Sequence, residues 1–240
     1  MSLSKSVIEA AMEHARKEYP RESCGLVVGG EYVPRKNTAQ NPEEDFRISP
    51  QGWVAAERKG GIEAVIHSHP NSPAHPSHHD MAGQINTGIA WGIVPMVQGV
   101  ARHPFFWGGD TAIPDLEGRE WRHGVTDCYS CARDWYRLTQ GVTIPDYARS
   151  DEWWEGDDDL LKSNFRQAGF EAVAHGLEPG FNFTVGDGFL MQIGGDKLNH
   201  CGVYLGNGLM LHHLRNRLSR TEPVNRWRKF VRLVVRRVPA

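Results

Sequence analysis

The chain has 240 residues, 40% of them hydrophobic and 23% charged, and a formal charge of −2 at pH 7. That length and balance suit one large domain or two small ones able to bury a core. They give no sign of nucleic-acid binding, and no apolar run reaches membrane-spanning length. Met1–Pro20 carries charges throughout and lacks a continuous apolar stretch, so it does not read as a signal peptide. Four cysteines (Cys24, Cys128, Cys131 and Cys201) in a chain this long do not look like a disulfide framework. The expected location is the cytoplasm, at least at first.

In chain order, Ser6-x-x-Glu9 reads as a capping box opening an amphipathic helix. Its apolar stripe is Val7, Ile8, Ala11, Met12 and Ala15, and it ends by Tyr19, before Pro20. Glu22–Gly29 predicts a strand, Gly29-Gly30 a turn into a shorter strand near Tyr32, and Asn37–Asp45 a polar loop. Ser49–Arg58 predicts a second helix with Pro50 at its first position. Ala64–His69 reads as a short buried strand, and alternation along a strand sends His67 and His69 to the same side. Pro70, Pro73 and Pro76 stop it and stiffen the return. Ser77 then reads as the N-cap of a helix from about His78 to Thr87, with Gly88 as its stop. Asp80 lies in the first turn of that helix and can point back toward the histidines. Ile89–Ala101, apolar and Gly-interrupted, reads as strand. Helices and strands alternating without internal repeats suit a small α/β sheet unit.

Two imidazoles and one carboxylate make three protein ligands, a catalytic zinc arrangement whose fourth position stays open for water. Blander readings compete. Ser77-x-x-Asp80 is close to a capping box, which would satisfy the helix's free N–H groups and nothing more. Five histidines within thirteen residues also fit a solvated His-rich loop. A loop histidine, however, has no reason to sit at strand spacing inside an apolar run. The joint pattern is far more specific than its parts. His75, His78 and His79 are read as bystanders, and Glu22, taken alone, as a surface glutamate.

The spacing His67-x-His69-x7-Ser77-x2-Asp80 resembles the JAMM (MPN+) metalloprotease family, and Pro20-Arg-Glu22-Ser-Cys-Gly-Leu-Val-Val-Gly29 is similar to that family's glutamate-bearing early strand. The resemblance covers about residues 1–110. It implies one zinc ion held by His67, His69 and Asp80, Glu22 as general acid/base on the zinc-bound water, and Ser77 as oxyanion stabiliser. The chemistry suits the roles, since zinc polarises a carbonyl and a nearby carboxylate can take a proton.

The breaker-rich run between Trp107 and Gly118 is the expected domain boundary, dividing residues 1–112 from 116–240. Beyond it, Asp127 reads as N-cap and Gly141 as stop of a helix whose first residue is Cys128, where the helix dipole and free N–H groups favour a thiolate. Cys131, Trp135 and Leu138 form its expected buried stripe. Asn199–His213 reads as a hairpin around Gly206-Asn207-Gly208. A cysteine at a helix start and a strand histidine make a papain-like pair, with a third residue orienting the imidazole. A two-residue Asn-Gly loop puts His213 on the face of His200; a three-residue loop puts His212 there. Periodicity alone leaves both open.

Asp127-Cys128, then His200-x-Gly-Val-Tyr-Leu-Gly, then a histidine twelve positions on, together resemble the NlpC-type cysteine peptidases that cut peptidoglycan stem peptides. The segment Val185-Gly-Asp187-Gly-Phe-Leu is similar to the strand before that family's histidine. The resemblance implies Cys128 as nucleophile, His200 as base and His212 as its orienting partner. Two departures bear on recognition of a substrate terminus: Tyr129 follows the cysteine where Ser is common, and Trp121 stands where the family often has a tyrosine. The rival for Cys128-x-x-Cys131 with His200-Cys201 is a structural zinc site, but only one Cys-x-x-Cys pair is present. A redox dithiol is a weaker rival.

Asp151–Asp159 holds six carboxylates beside Trp153-Trp154 and reads as a solvated loop; from Arg215 onward nine Lys/Arg face Glu222 alone, with Phe230–Val238 as a closing strand. No function is drawn from either. Over nearly its whole length the chain resembles the tail assembly protein K family of lambda-like siphophages. The expected fold class is α+β: a JAMM-like α/β/α sheet domain, then a papain-like NlpC-type α+β domain. The resemblance implies a bifunctional peptidase, with peptidoglycan peptide as substrate and other tail tip proteins as partners. It places the protein in the host cytoplasm during tail assembly or at the virion tail tip. The alternatives are a structural tail-tip or assembly component with inactive sites, or a zinc half that processes a tail protein.

Overall fold

A computed structural model of the chain describes residues 3–156 and 159–238, so Asp157 and Asp158 of the acidic run lie outside the described residues. The chain divides into two compact units, 1–112 and 113–240. The fold class is α+β in both.

The first unit opens with α1 (Lys5–Glu18). Its N-cap is Ser4, whose hydroxyl accepts from the Val7 N–H, and not the expected Ser6. Ser4 is the residue with extended backbone, and the Ser6 hydroxyl hydrogen-bonds Ser4 instead. Val7, Ala11 and Ala15, spaced four apart, are the buried stripe. Two antiparallel strands follow, β1 (Cys24–Val28) and β2 (Glu31–Arg35), then α2 (Pro50–Glu57), capped by Ser49. Next come β3 (Ala64–Pro70), α3 (His78–Thr87) and β4 (Ala90–Val97), with β3 and β4 parallel, so α3 is the crossover helix. Gln98 and Gly99, both at positive φ, turn the chain back into β5 (Val100–Ala101). The expected single strand 89–101 is thus a hairpin. With β6 (Phe105–Trp107) beside β4, the sheet order is β2-β1-β3-β4-β5. Val7, Ala11 and Ala15 pack with Val27, Ile66, Val94 and Met96 as its core.

The second unit places α4 (Cys128–Gln140) first, capped by Asp127 and ended by Gly141 at φ 66°. Cys131 and Trp135 are buried, but Leu138 is 57% exposed. Tyr136, on the adjoining face, is buried as well and donates to the Gly186 carbonyl. After α5 (Leu160–Asn164) come β7 (Phe170–His175), β8 (Gly188–Met191), β9 (His200–Gly206), β10 (Leu209–His212), β11 (Arg220–Pro223) and β12 (Val231–Arg237). They form an antiparallel sheet in the order β11-β10-β9-β8-β12-β7. The last strand therefore lies inside the sheet, between β8 and β7.

The β9–β10 hairpin resolves the histidine ambiguity in an unforeseen way. Its turn is Asn207-Gly208, both at positive φ as a two-residue loop needs. A bulge then shifts the register: Leu209 faces Gly206 but Met210 faces Tyr204, leaving Leu205 unmatched. One extra residue reverses the side-chain face. His212 consequently pairs with Gly202 and shares the face of His200.

Candidate functional sites

In the first unit, strand pairing brings the polar groups together. Cys24 of β1 lies opposite His67 of β3, and Ser23 N–H donates to Ser68 Oγ at 2.8 Å while Ser68 N–H donates to the Ser23 carbonyl at 3.0 Å. This clamp holds Glu22, only 3% exposed, against the histidine strand; its Oε1 lies 3.9 Å from His69 Nε2. His67 Nε2 is 3.2 Å from His69 Nε2 and 3.1 Å from Asp80 Oδ1, and His69 Nε2 is 3.3 Å from Asp80 Oδ2. Phe46 stacks on the His67 ring with centroids 4.4 Å apart.

These residues fit a metal ion. His69 Nδ1 sits 3.0 Å from the Pro73 carbonyl, an acceptor only an N–H can satisfy. In the neutral ring Nε2 then carries a lone pair, aimed at a second imidazole nitrogen and a carboxylate. Such convergence of electron pairs calls for a cation between them. The spacings of 3.1–3.3 Å match the edge of a tetrahedron with metal–ligand bonds of about 2.0–2.1 Å, roughly 3.3 Å. Electrostatics agree. Burial alone would raise the Asp80 carboxyl, but His67 and then His69 hold it far below the usual range. Burial pushes Glu22 up to about 8, with Asp80 and Asp45 adding and His69 opposing.

Ser77, for which the resemblance implies an oxyanion role, caps α3. Its N–H and hydroxyl both donate to Asp80 Oδ2 at 2.8 Å, and its Oγ accepts from the Asp80 N–H at 3.1 Å, a complete capping box. The cap and the candidate ligand are one device: Ser77 orients the carboxylate that faces the histidines. His78 and His79 are exposed on α3.

In the second unit Cys128 heads α4, half-buried, with His200 on the neighbouring β9. The Cys201 thiol hydrogen bond and then, against the opposing effect of burial, His200 hold the Cys128 thiol well below its ordinary value. Cys131, by contrast, is pushed up to about 11 by burial. His200 Nε2 lies 3.0 Å from His212 Nδ1. Gly202 permits this approach, since a Cβ there would meet the Leu211 carbonyl at 3.0 Å and His212 Cβ at 3.2 Å. Trp121, Tyr129, Trp154 and Arg215 are among the residues that line the cleft over Cys128 and His200.

Sequence reasoning missed the charged chain that anchors the head of α4. Asp127 Oδ1 accepts from the Ser130 N–H at 2.9 Å, while Oδ2 accepts from Gly124 N–H at 2.8 Å and from Arg149 Nη2 at 2.7 Å. Arg149 continues to Asp146, which meets Arg133, which reaches Asp134, which pairs with Arg119. Burial alone would raise the Asp127 carboxyl, but Arg149 and then His123 keep it well below the usual range. Its two end pairings, Asp134–Arg119 and Asp127–Arg149, link residues 15 and 22 positions apart, beyond any local pattern. All four cysteines are free thiols. No helix among the described residues is long and apolar enough to cross a membrane.

Comparison with known proteins agrees with both halves. Residues 4–108 match the family described as prokaryotic homologs of the JAB domain, and residues 102–236 match the NlpC/P60 family. The CysO-cysteine peptidase of Mycobacterium tuberculosis strain H37Rv is 30% identical over 90 residues, covering 31% of this chain and 59% of that protein. Tail tip assembly protein K of Escherichia phage lambda is 34% identical over 184 residues, 76% of this chain and 85% of the relative. Tail tip assembly protein K of Escherichia phage N15 is 34% identical over 227 residues, 92% of this chain and 89% of the relative. With a JAB-like unit followed by an NlpC/P60 unit, and with likeness sustained along almost its full length, the chain belongs to the tail tip assembly protein K family.

Proposed function

We propose that the chain is a phage tail-tip peptidase with two independent reaction centres. In the second unit Cys128 is the nucleophile, His200 its base and His212 the partner that orients the base. The substrate is the peptidoglycan stem peptide, cut at a bond of the γ-glutamyl–diaminopimelate type. The observation that supports this reading best is the convergence, beside a thiol at the head of α4 that His200 helps to hold low, of two histidines 3.0 Å apart. A thiolate at a helix N-terminus attacks a carbonyl, and the imidazolium beside it returns the proton to the leaving amine.

In the first unit His67, His69 and Asp80 hold one zinc ion, which when bound would polarise the scissile carbonyl of a peptide or isopeptide bond. Glu22, buried and 3.9 Å from His69 Nε2, is the group placed to accept and return a proton there. Ser77 fixes the Asp80 carboxylate. Other tail proteins are its partners, by the name of its relatives, and the tail tip its place of action.

Muropeptide digestion followed by mass spectrometry tests the cysteine centre: Cys128→Ala abolishes the cleavage products. Unchanged products in that variant would refute the assignment. For the zinc centre, the tail proteins of a phage carrying Glu22→Gln are compared by mass with those of wild type. An uncleaved precursor in the variant means that this centre processes a tail protein; identical masses refute that it does.

A further inference from the structure

Behind His212 the structure continues the relay by one residue. Glu222 sits on β11, two positions past the partner of His212 in the strand register, so both side chains share a face. Its Oε2 lies 3.3 Å from His212 Nε2 and accepts from Trp227 Nε1 at 2.7 Å. The Trp227 ring also packs edge-on against His212, centroids 4.6 Å apart. Glu222 is therefore held from two sides, with Arg220 Nη1 3.6 Å from its other oxygen.

The proton positions then follow one another. An indole N–H only donates, and a carboxylate only accepts. Because Glu222 Oε2 accepts from Trp227, the hydrogen on the His212 side must be on His212 Nε2. Neutral His212 has one N–H, so its Nδ1 is bare and can only accept from His200 Nε2. His200 then carries its hydrogen on Nε2, which leaves Nδ1 bare as the ring's free base toward Cys128, whose thiol His200 helps to hold low. That tautomer alone can take the Cys128 proton: it moves from Sγ to Nδ1, and the imidazolium charge is met by His212 and, beyond it, by the carboxylate. If His212 held its hydrogen on Nδ1 instead, His200 would have to accept at Nε2, hold its own hydrogen on Nδ1, and lose its capacity as a base.

We propose that Glu222 is a positioning residue for this centre, fixing the tautomers of His212 and, through it, of His200. The inference rests on reading Cys128 as the nucleophile and adds a fourth member to that reading. The groups facing Cys128 are Cys201, His200, Asp127, Cys131 and His213, and those facing Glu222 are His212, Arg220 and Trp227. Glu222 is the acceptor that meets His212 Nε2.

The test is the pH dependence of Cys128 alkylation by iodoacetamide in the full chain, with nitrogen-15 shifts of the histidine rings recorded alongside. Wild type alkylates with a midpoint below that of an ordinary thiol, and His212 reports hydrogen on Nε2. Glu222→Leu removes the acceptor: the alkylation rate at pH 6 falls about tenfold, a one-unit rise in midpoint, and His212 loses its fixed tautomer. Glu222→Gln keeps an acceptor oxygen facing Trp227 without the charge, so the tautomer stays and the rate falls by roughly threefold, half a unit. A wild-type profile that is low while neither variant moves it overturns the role of Glu222 and leaves the nucleophile in place. An ordinary wild-type profile overturns the nucleophile itself. Where the leucine variant does not fold, an unchanged profile in the glutamine variant is by itself enough to overturn the proposal.

Discussion

Replacing Arg149 by Met tests whether the buried charge chain holds the head of α4 in place. Arg149 is 5% exposed; it gives Asp127 Oδ2 two hydrogen bonds, at 2.7 and 3.1 Å, and reaches Asp146 at 3.1 Å. Without it Asp127 keeps the Ser130 and Gly124 N–H groups and His123 at 3.9 Å, and a buried carboxylate loses its permanent counter-charge. Removing one partner of such a pair costs about 3–5 kcal/mol. Asp127→Asn is milder, about 1–2 kcal/mol, because Asn still caps a helix and Arg149 retains Asp146 and the Tyr147 carbonyl. In the double variant no unpaired charge remains at position 127, so the combined cost falls short of the sum by about 2 kcal/mol. Urea denaturation followed by tryptophan fluorescence measures all three, with the transition of the first unit as internal control, since two units do not unfold as one two-state system. Costs that add to within about 0.5 kcal/mol, or an Arg149→Met cost below about 1 kcal/mol, would refute the reasoning.

Other expectations follow from the same geometry. Glu22 has a folded pKa of about 8 against an ordinary 4.5, so in metal-free protein its ionisation is suppressed and stability is lost as pH rises between those values. Glu22→Gln should therefore stabilise chelated protein at pH 7 by at most about 3 kcal/mol, with the gain vanishing near pH 4.5. Urea melts at the two pH values check this, and a gain independent of pH contradicts it. Gly202→Ala should slow Cys128 alkylation at pH 6 while leaving the fold intact, because a Cβ there pushes His212 away from His200; a rate equal to wild type counts against the relay. Ser77→Ala removes both a cap and the group that orients Asp80. It should cost about 1 kcal/mol of stability and weaken zinc affinity by about 10–100-fold, measured by competition with a chelating dye.

The elements around the candidate metal centre were legible because each carries a local signal. Strand alternation placed His67 and His69 on one face, and the Ser77 cap and Gly88 stop bounded α3 at the residues observed. Asp127 and Gly141 did the same for α4. Two errors there are local as well: Ser4 competes with Ser6 as a cap two residues apart, and Leu138 lies one position off the face that the sheet covers. What could not be read depends on register and on distant partners. The bulge at Leu205 decides which histidine meets His200, and no periodicity announces a bulge. Arg149 reaches Asp127 over 22 residues and Glu222 lies beyond a loop from His212, so neither pairing leaves a spacing to recognise. Glu222 stood out only as the lone carboxylate in a basic stretch.

Native mass spectrometry of the purified chain asks whether a metal centre and a thiol centre act independently in one polypeptide. The protein is treated with iodoacetamide at pH 6 and then given zinc. Burial holds the Cys24 and Cys131 thiols up at about 12 and about 11, and the Cys128 hydrogen bond and burial hold Cys201 well above its ordinary value, so Cys128 is the thiol expected to react. The expected product carries one added carbamidomethyl group and, on the same molecules, one zinc ion that His67→Ala removes. Zinc uptake abolished by alkylation and retained in His67→Ala would place the metal on the cysteines and contradict that independence.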